Sequence, residues 1–318
     1  MPTLVCLTDY GFKSIETERR IIEATGAELR TGQCKTAEEV LALARDADVI
    51  LAQWAPLNSQ VITGLTRCRG IVRYGIGVDT IDLTAAKSRG IAVANVPDYC
   101  IDEVADHSMA LALALVRQLG TTDRHLREGE WKITPPLPMP ALRHMTFATA
   151  GFGRIARAVL QRAAAFGCRL AAYDPFVPPD AFSHAGVERL DADALFSEAD
   201  ILSLHLPLTA ETRHFVDSCR LAQMKSHAVL VNTARGGLID SSALAAALAL
   251  GRPALAGLDV FEKEPLEMDH PLRGRANALL TSHTAWFSNE SVLELQRLAA
   301  EEVARCVRAE PFKNRVTA

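Results

Sequence analysis

Three stretches of the chain each end an apolar run in polar side chains that together could reduce a carbonyl group. Val229-Leu230-Val231-Asn232 leads into Thr233-Ala234-Arg235-Gly236-Gly237. Gly257-Leu258 leads into Asp259-Val260-Phe261-Glu262-Lys263-Glu264-Pro265, and Leu279-Leu280 leads into Thr281-Ser282-His283-Thr284-Ala285-Trp286. Reducing a ketone needs a proton donor beside the carbonyl oxygen, and histidine is the side chain suited to that work near neutrality, which singles out His283. A carboxylate such as Glu264 would hold the ring and favour its protonated form. Arg235 would clamp a substrate carboxylate through two parallel hydrogen bonds. Taken singly, each has an ordinary explanation as a turn arginine, a surface acid or a structural histidine. Found after successive apolar runs, they read better as one site, because ligands of open α/β sheets bind outside the carboxyl ends of the strands.

Such chemistry also needs a hydride source. The run Met145–Ala150 feeds into Gly151-Phe152-Gly153-Arg154-Ile155-Ala156, a GxGxxG pattern with Ala in the last place, and a helical pattern follows at Arg157–Phe166. Gly151 permits the tight turn, Gly153 lets a pyrophosphate approach the backbone, and Ala156 lets the helix pack closely on the sheet. The helix start, at Arg154 and Ile155, supplies amides and partial positive charge. A glycine loop alone is weak evidence. Here a second strand, Leu170–Tyr173, ends in Asp174 about twenty residues on, where an acid hydrogen-bonds the adenosine ribose hydroxyls. No arginine stands beside Asp174 to neutralise a 2′-phosphate, so the cofactor expected is NAD.

The elements that must position these residues are legible as alternation. Short apolar runs at Thr3–Leu7, Val49–Ala52, Gly70–Arg73 and Ile91–Ala94 alternate with helical patterns such as Ile15–Ala24 and Ala37–Arg45. A long helix is predicted over Asp102–Leu119 and a polar, proline-rich surface connector over Arg124–Pro140. A second α/β series starts near Met145, and an amphipathic helix, Ser291–Arg308, ends the chain. Alternation of this kind implies parallel sheets, and 318 residues imply two domains. The net charge of −4 is spread without a basic stripe, which argues against nucleic acid. Met109–Val116, the longest apolar run, is too short to cross a bilayer. The N-terminus carries no secretory pattern. The seven cysteines are scattered without a CxxC, so neither a disulfide frame nor a metal site is expected, and the cytoplasm is the expected compartment.

With these motifs assembled, the sequence resembles the D-isomer-specific 2-hydroxyacid dehydrogenase family, which includes phosphoglycerate dehydrogenase, glyoxylate reductase and formate dehydrogenase. The likeness spans essentially the whole chain, and Asn232–Gly237, Leu258–Pro265 and the His283 segment carry most of it. It implies interconversion of a small 2-keto acid and its D-2-hydroxy acid with NAD. Arg235 would bind the substrate's carboxylate and keto oxygen, His283 would be the general acid/base, and Glu264 its partner. Arg73-Tyr74-Gly75-Ile76-Gly77 looks like the family's carboxylate loop, which makes Arg73, Ile76 and Gly77 substrate contacts. Asp259 matches the position that hydrogen-bonds the nicotinamide carboxamide. His205-Leu206-Pro207 matches the turn bordering the adenosine and pyrophosphate, and Thr233 and Ala234 would lie along the nicotinamide.

The resemblance also implies two doubly wound parallel-sheet domains: a Rossmann cofactor domain, 97–289, inserted into a flavodoxin-like substrate domain of residues 1–96 and 290–318. A homodimer would form through the cofactor domain, using Asp102–Leu119 and Arg124–Pro140. Trp286, followed by Phe287-Ser288, resembles the C-terminal-binding-protein branch, which includes transcriptional corepressors and uses an arginine matching Arg73. There Trp286 would wall the pocket and favour apolar bulk. Two departures stand out: Thr146-Phe147-Ala148-Thr149-Ala150 lacks the usual glycine and branched aliphatics, and Ser282 replaces a common proline. The rival readings are phosphoglycerate dehydrogenase itself, which calls for a cationic phosphate lining where only Arg73 is obvious, and an NAD-sensing binding protein. The intact Arg235, Glu264 and His283 argue against the latter.

Overall fold

The structure is a computed structural model that describes residues 2–316; Met1 and residues 317–318, included in the expected substrate domain, lie outside the described residues. The chain divides into two compact units. One takes in Met1–Cys100 and Phe287–Ala318, the other Ile101–Trp286. The joins therefore fall a few residues from the expected 96/97 and 289/290.

The first unit is built on strands β1 (Leu4–Leu7), β2 (Glu28–Thr31), β3 (Val49–Ala52), β4 (Gly70–Arg73) and β5 (Ala92–Ala94). They lie in the order β2-β1-β3-β4-β5, every pair parallel, which is the flavodoxin-like winding. Every residue of β1 and β3 is buried, as strands covered on both faces require. Helix Asn289–Val307 packs on β3, β4 and helix Glu16–Glu23. Its start is set by a capping box in which Ser288 and Ser291 exchange side-chain-to-backbone bonds.

The second unit carries β6 (Thr146–Ala150), β7 (Arg169–Tyr173), β8 (Glu188–Arg189), β9 (Ile201–Leu204), β10 (Val229–Asn232), β11 (Leu255–Leu258) and β12 (Ala278–Leu280). Their order is β12-β11-β10-β9-β6-β7-β8, again all parallel. The winding reverses between β6 and β9, and that reversal opens the crevice in which this fold binds ligands. Helix Ile101–Val116 covers β10 and β11 on one face and packs against helix Arg154–Ala164. On the other face, Leu195, Phe196, Leu221 and Leu244 close the core. The unusual threonines of β6 are accommodated locally. Thr149 is fully buried, but its hydroxyl donates to the Gly151 carbonyl at 2.8 Å, so this buried group has its partner.

One expected element is different. The helix predicted over Asp102–Leu119 stops at Val116, and a second helix, Leu119–Arg127, occupies the start of the expected connector. The break is at Gln118, which adopts a left-handed conformation with φ 50°. Its side-chain amide donates to the Leu137 carbonyl, and its side-chain oxygen accepts from the Leu137 amide, which ties down the irregular segment that follows. No residue of helix Leu119–Arg127 is buried in the chain, so its sequence carries no clear core-facing stripe. No helix among the described residues is long and apolar enough to cross a membrane.

Candidate active site

In the second unit the strands are parallel, so the loops after β6, β9, β10, β11 and β12 emerge at one edge of the sheet. These loops hold Gly151–Ile155, His205–Pro207, Thr233–Gly237, Asp259–Pro265 and Thr281–Trp286. The second-unit residues singled out above all follow the carboxyl ends of strands, Asp174 after β7 among them. Arg73 ends β4, and Ile76 and Gly77 follow it at the carboxyl edge of the first unit's sheet.

His283 and Glu264 are paired: His283 Nδ1 lies 2.7 Å from Glu264 Oε2, with side chains 41% and 36% exposed. Glu264 Oε1 accepts from the Phe261 amide at 2.9 Å. Burial tends to raise the Glu264 pKa, but the His283 bond and charge, the Phe261 N–H and the charge of Arg235 outweigh it. The carboxyl is held below the usual range. The influence of Arg235 on Glu264 brings the three catalytic candidates into one electrostatic neighbourhood.

The Arg235 loop is shaped by Asn232, which opens the Asn232–Gly237 motif but had no role assigned from the sequence. Asn232 is fully buried; its Nδ2 donates to the Arg235 carbonyl and its Oδ1 accepts from the Ala234 amide. Arg235 Nη1 in turn donates to the Ala234 carbonyl at 2.7 Å. A Cβ at Gly236 would stand 1.8 Å from the Phe261 carbonyl carbon, so the loops after β10 and β11 approach too closely for any other residue. The Thr233 hydroxyl is buried against Ser108 Oγ at 2.7 Å.

Asp259, which the resemblance sets against the nicotinamide carboxamide, is buried at the end of β11. Its carboxylate has no exposed surface. It accepts from the Thr281 hydroxyl at 2.6 Å and from the Thr284 and Ala285 amides at 2.9 Å each. The Asp259 carbonyl takes the His283 amide at 2.7 Å. His283 sits at φ 55°, a left-handed conformation that costs a non-glycine residue about 1–3 kcal/mol. Hydrogen bonds to a charged group are worth about 1.5–3 kcal/mol each, so the Asp259 set outweighs that strain. Behind it, His107 Nε2 lies 3.0 Å from Thr281 Oγ1. The signal for His107 and Ser108 was in the sequence, as polar residues that with Asp106 interrupt the apolar residues of Val104–Val116.

The glycine loop fits a dinucleotide. Helix Arg154–Ala164 begins at Gly153, so no cap side chain covers its first amides, and no acid sits in its first turn. A Cβ at Gly153 would meet nothing within 4 Å, which leaves open space for a phosphate. Gly151, at φ 99°, runs so close to the β9 loop that a Cβ would stand 2.7 Å from the His205 carbonyl oxygen. Asp174 accepts from the Phe152 amide through one oxygen and from Phe176 through the other, both at 3.0 Å. Each oxygen keeps a lone pair for a further donor. His205 contacts Ser203 Oγ at 2.9 Å through Nε2, and burial pushes its pKa down to about 3, so it is a neutral wall residue. Pro207, Arg154 and Gly153 are exposed, Ile155 is half-buried, and Trp286 is half-buried three residues beyond His283. Glu262 is engaged elsewhere, with His214 at 2.6 Å and the Ser241 amide at 3.1 Å. Among the described residues no group of three His, Cys, Asp or Glu side chains could hold a metal ion.

In the first unit, Gly75 is at φ 113°, and a Cβ there would stand 1.9 Å from Arg73 Nη1. The Arg73 guanidinium therefore lies directly over the Gly75 backbone. Asn95 Nδ2 holds the Ile76 carbonyl at 2.7 Å, and the Val96 amide holds that of Gly75 at 3.0 Å.

Residues 109–285 match the NAD-binding domain of the D-isomer-specific 2-hydroxyacid dehydrogenases. The chain is 38% identical over 271 residues to glyoxylate reductase from Korarchaeum cryptofilum, covering 84% of this chain and 81% of that protein. It is 39% identical over 272 residues to D-3-phosphoglycerate dehydrogenase from Mycobacterium bovis, covering 85% of this chain and 50% of that one. The chain thus spans about half the length of the phosphoglycerate dehydrogenases it matches. Among solved structures, D-lactate dehydrogenase from Aquifex aeolicus, complexed with NAD and lactic acid, superposes with a TM-score of 0.90 at 26% identity over 99% of both chains. The chain belongs to the D-isomer-specific 2-hydroxyacid dehydrogenase family.

The lowered pKa of Glu264 has a sign that can be measured. A carboxyl whose folded pKa lies below its unfolded value of about 4.3 adds stability above that value, and the contribution is lost as pH falls through the folded pKa. The protein should therefore exceed Glu264→Gln in stability at pH 7, with the gap narrowing as the pH drops below 4. Urea unfolding of both proteins across this range checks it, and a gap that widens on acidification would contradict the assignment.

Proposed function

We propose that the protein reduces a small 2-keto acid to the D-2-hydroxy acid with NADH, and runs the reverse reaction with NAD. The observation that carries this reading is the His283–Glu264 pair, 2.7 Å apart at the strand ends and within the field of Arg235. When bound, NADH would supply the hydride taken up by the keto carbon. With Nδ1 given to Glu264, His283 Nε2 is the atom left to donate a proton to the keto oxygen, and to accept one in the reverse direction. Glu264, held as a carboxylate, orients the ring and stabilises its charged form. Arg235 binds the substrate carboxylate and keto oxygen through its planar fork. Arg73, Ile76 and Gly77 of the first unit are proposed as further contacts to the acid group, and Trp286 as a wall favouring an apolar substituent.

For NAD, Gly151, Gly153, Arg154 and Ile155 would hold the pyrophosphate, with His205 and Pro207 bordering it. Asp174 would hold the ribose, and Thr233 and Ala234 would line the nicotinamide. The relatives named a glyoxylate reductase and a D-lactate dehydrogenase favour a small substrate. None of the seven cysteines, all among the described residues, forms a disulfide, and we propose the cytoplasm as the compartment.

We also propose a homodimer through the second unit. In and after helix Leu119–Arg127, Trp131 and Ile133 are 82% and 89% exposed, and Leu119 and Leu126 are more than half exposed. Large apolar side chains so placed suit burial against a second copy.

Three outcomes follow. In NADH oxidation with a panel of 2-keto acids, His283→Ala should lower kcat about 10²–10⁴-fold while still binding NADH; near-normal kcat would remove His283 from the mechanism. Arg235→Lys should be severe as well, and Glu262→Gln far milder than Glu264→Gln, since Glu262 serves His214 and Ser241. On cofactor choice, kcat/KM should strongly favour NADH over NADPH, with partial relaxation in Asp174→Ala; equal values in the unaltered protein would sink the Asp174 assignment. In sedimentation, the protein should run as a dimer and the doubly substituted Trp131→Glu, Ile133→Glu protein as a monomer. A dimer that survives both changes would place the interface elsewhere.

A further inference from the structure

Within the first unit, a carboxyl side chain is sealed from solvent. Glu18, on helix Glu16–Glu23, has no exposed surface. Three donor contacts reach it. The Tyr74 hydroxyl donates to Oε1 at 2.7 Å, and Gln296 Nε2, from helix Asn289–Val307, lies 3.0 Å from each carboxylate oxygen. The same Gln296 nitrogen donates to the Ser14 carbonyl at 2.7 Å, which fixes the chain leading into the helix of Glu18. Tyr74 is 1% exposed, its ring is edge-on to Phe12 at 5.2 Å, and its amide donates to the Ala52 carbonyl. Burial, then the adjacent Glu18 charge, raises the Tyr74 pKa well above the ordinary phenol value, so the hydroxyl keeps its proton and remains the donor.

Burying a carboxylate is costly unless it is fully hydrogen-bonded, and a packed interior has cheaper ways to join two helices and a strand. What distinguishes this place is the neighbour. Tyr74 directly follows Arg73 at the end of β4 and begins the loop that continues through Gly75, Ile76 and Gly77. The loop's other ties, Asn95 to the Ile76 carbonyl and Val96 to the Gly75 carbonyl, hold its far side. Arg73 lies over Gly75, so a shift of the Tyr74 backbone moves the guanidinium and the following amides together.

The geometry points to Glu18 and Gln296 as positioning residues that act through the Tyr74 hydroxyl to set the Arg73–Gly77 loop for binding the substrate's carboxylate. This rests on the proposed role of that loop. A loop tied by the Tyr74 hydroxyl to a carboxyl group that Gln296 holds in place has one register, whereas a tyrosine held by apolar packing alone can rock about its Cα. Displacement of a binding group by an ångström costs up to about a hundredfold, and here the loss would fall on the keto acid and leave the dinucleotide untouched.

The test is a set of variants of the full chain, assayed for KM with a 2-keto acid, for kcat, for NADH Kd by fluorescence and for Tm. Tyr74→Phe and Glu18→Leu should raise keto-acid KM about tenfold or more while kcat and NADH Kd hold. Glu18→Gln, which keeps an oxygen for the Tyr74 hydroxyl, should restore KM to near the unaltered value. Gln296→Met removes one donor without emptying the carboxylate's shell, so it reports the same KM effect, smaller, if the harsher variants fail to fold. A lowered Tm with unchanged KM throughout would make the cluster purely structural and overturn the proposal. Arg73→Met separates the two levels of the argument. If it raises KM while Tyr74→Phe does not, the loop binds substrate and the network does not position it. If Arg73→Met leaves KM unchanged, the reading of the loop falls and the network's role falls with it.

Discussion

The carboxylate of Asp259, sealed from solvent, is what allows the loop after β12 to present a histidine at all. His283 stands in a left-handed conformation that few residues other than glycine adopt. Left to itself, that segment would relax and turn the imidazole elsewhere. The bonds from Thr281, Thr284 and Ala285 to the Asp259 side chain, with the His283 amide on the Asp259 carbonyl, force the turn. Because Asp259 also begins the segment that carries Glu264, one buried residue sets both halves of the His283–Glu264 pair. Helix Ile101–Val116 completes the support from behind through His107, while its Ser108 holds Thr233 of the loop after β10.

The same economy recurs in the loops around it. Asn232 does for Arg235 what Asp259 does for His283, satisfying the backbone of a short loop with one buried polar side chain. Asp174 stitches the glycine loop to the turn after β7 while each of its oxygens keeps a lone pair for a ribose hydroxyl. In the first unit, Glu18 stands in the same relation to Tyr74. Each of these polar groups is buried or half-buried and hydrogen-bonded, so each is costly to misplace and therefore specifies a single arrangement. Loops built this way are more rigid than their exposure suggests, which is what a site reacting at defined distances needs.

Much of this was legible in the residues. Gly151, Gly153 and Asp174 carry their spacing in the chain, because a tight turn, a close phosphate approach and a strand-end acid are local requirements. Arg235, Glu264 and His283 could be found because each ends an apolar run, and a parallel sheet brings such ends to one edge. The helix at Leu119–Arg127 could not be found in this way, since none of its residues is buried and its apolar side chains face outward. Nor could Asn232 or Glu18, whose importance lies in partners distant in the chain or in backbone groups that only the folded loop exposes to them.

Asp259 marks the boundary between the two kinds of information. Its place in a strand-end motif was plain from the residues, and so was its nearness in sequence to Glu264. Which backbone and side-chain groups its carboxylate would hold depended on how the loop after β12 folded back across β11, over a separation of more than twenty residues. The sequence by itself determined the parallel α/β architecture, the glycine loop and the types of side chain at the strand ends, because hydrophobic periodicity and turn chemistry act between near neighbours. Only the tertiary structure decided which of those polar groups are buried as anchors and which remain exposed to react, because burial is a property of the surroundings that long-range packing creates.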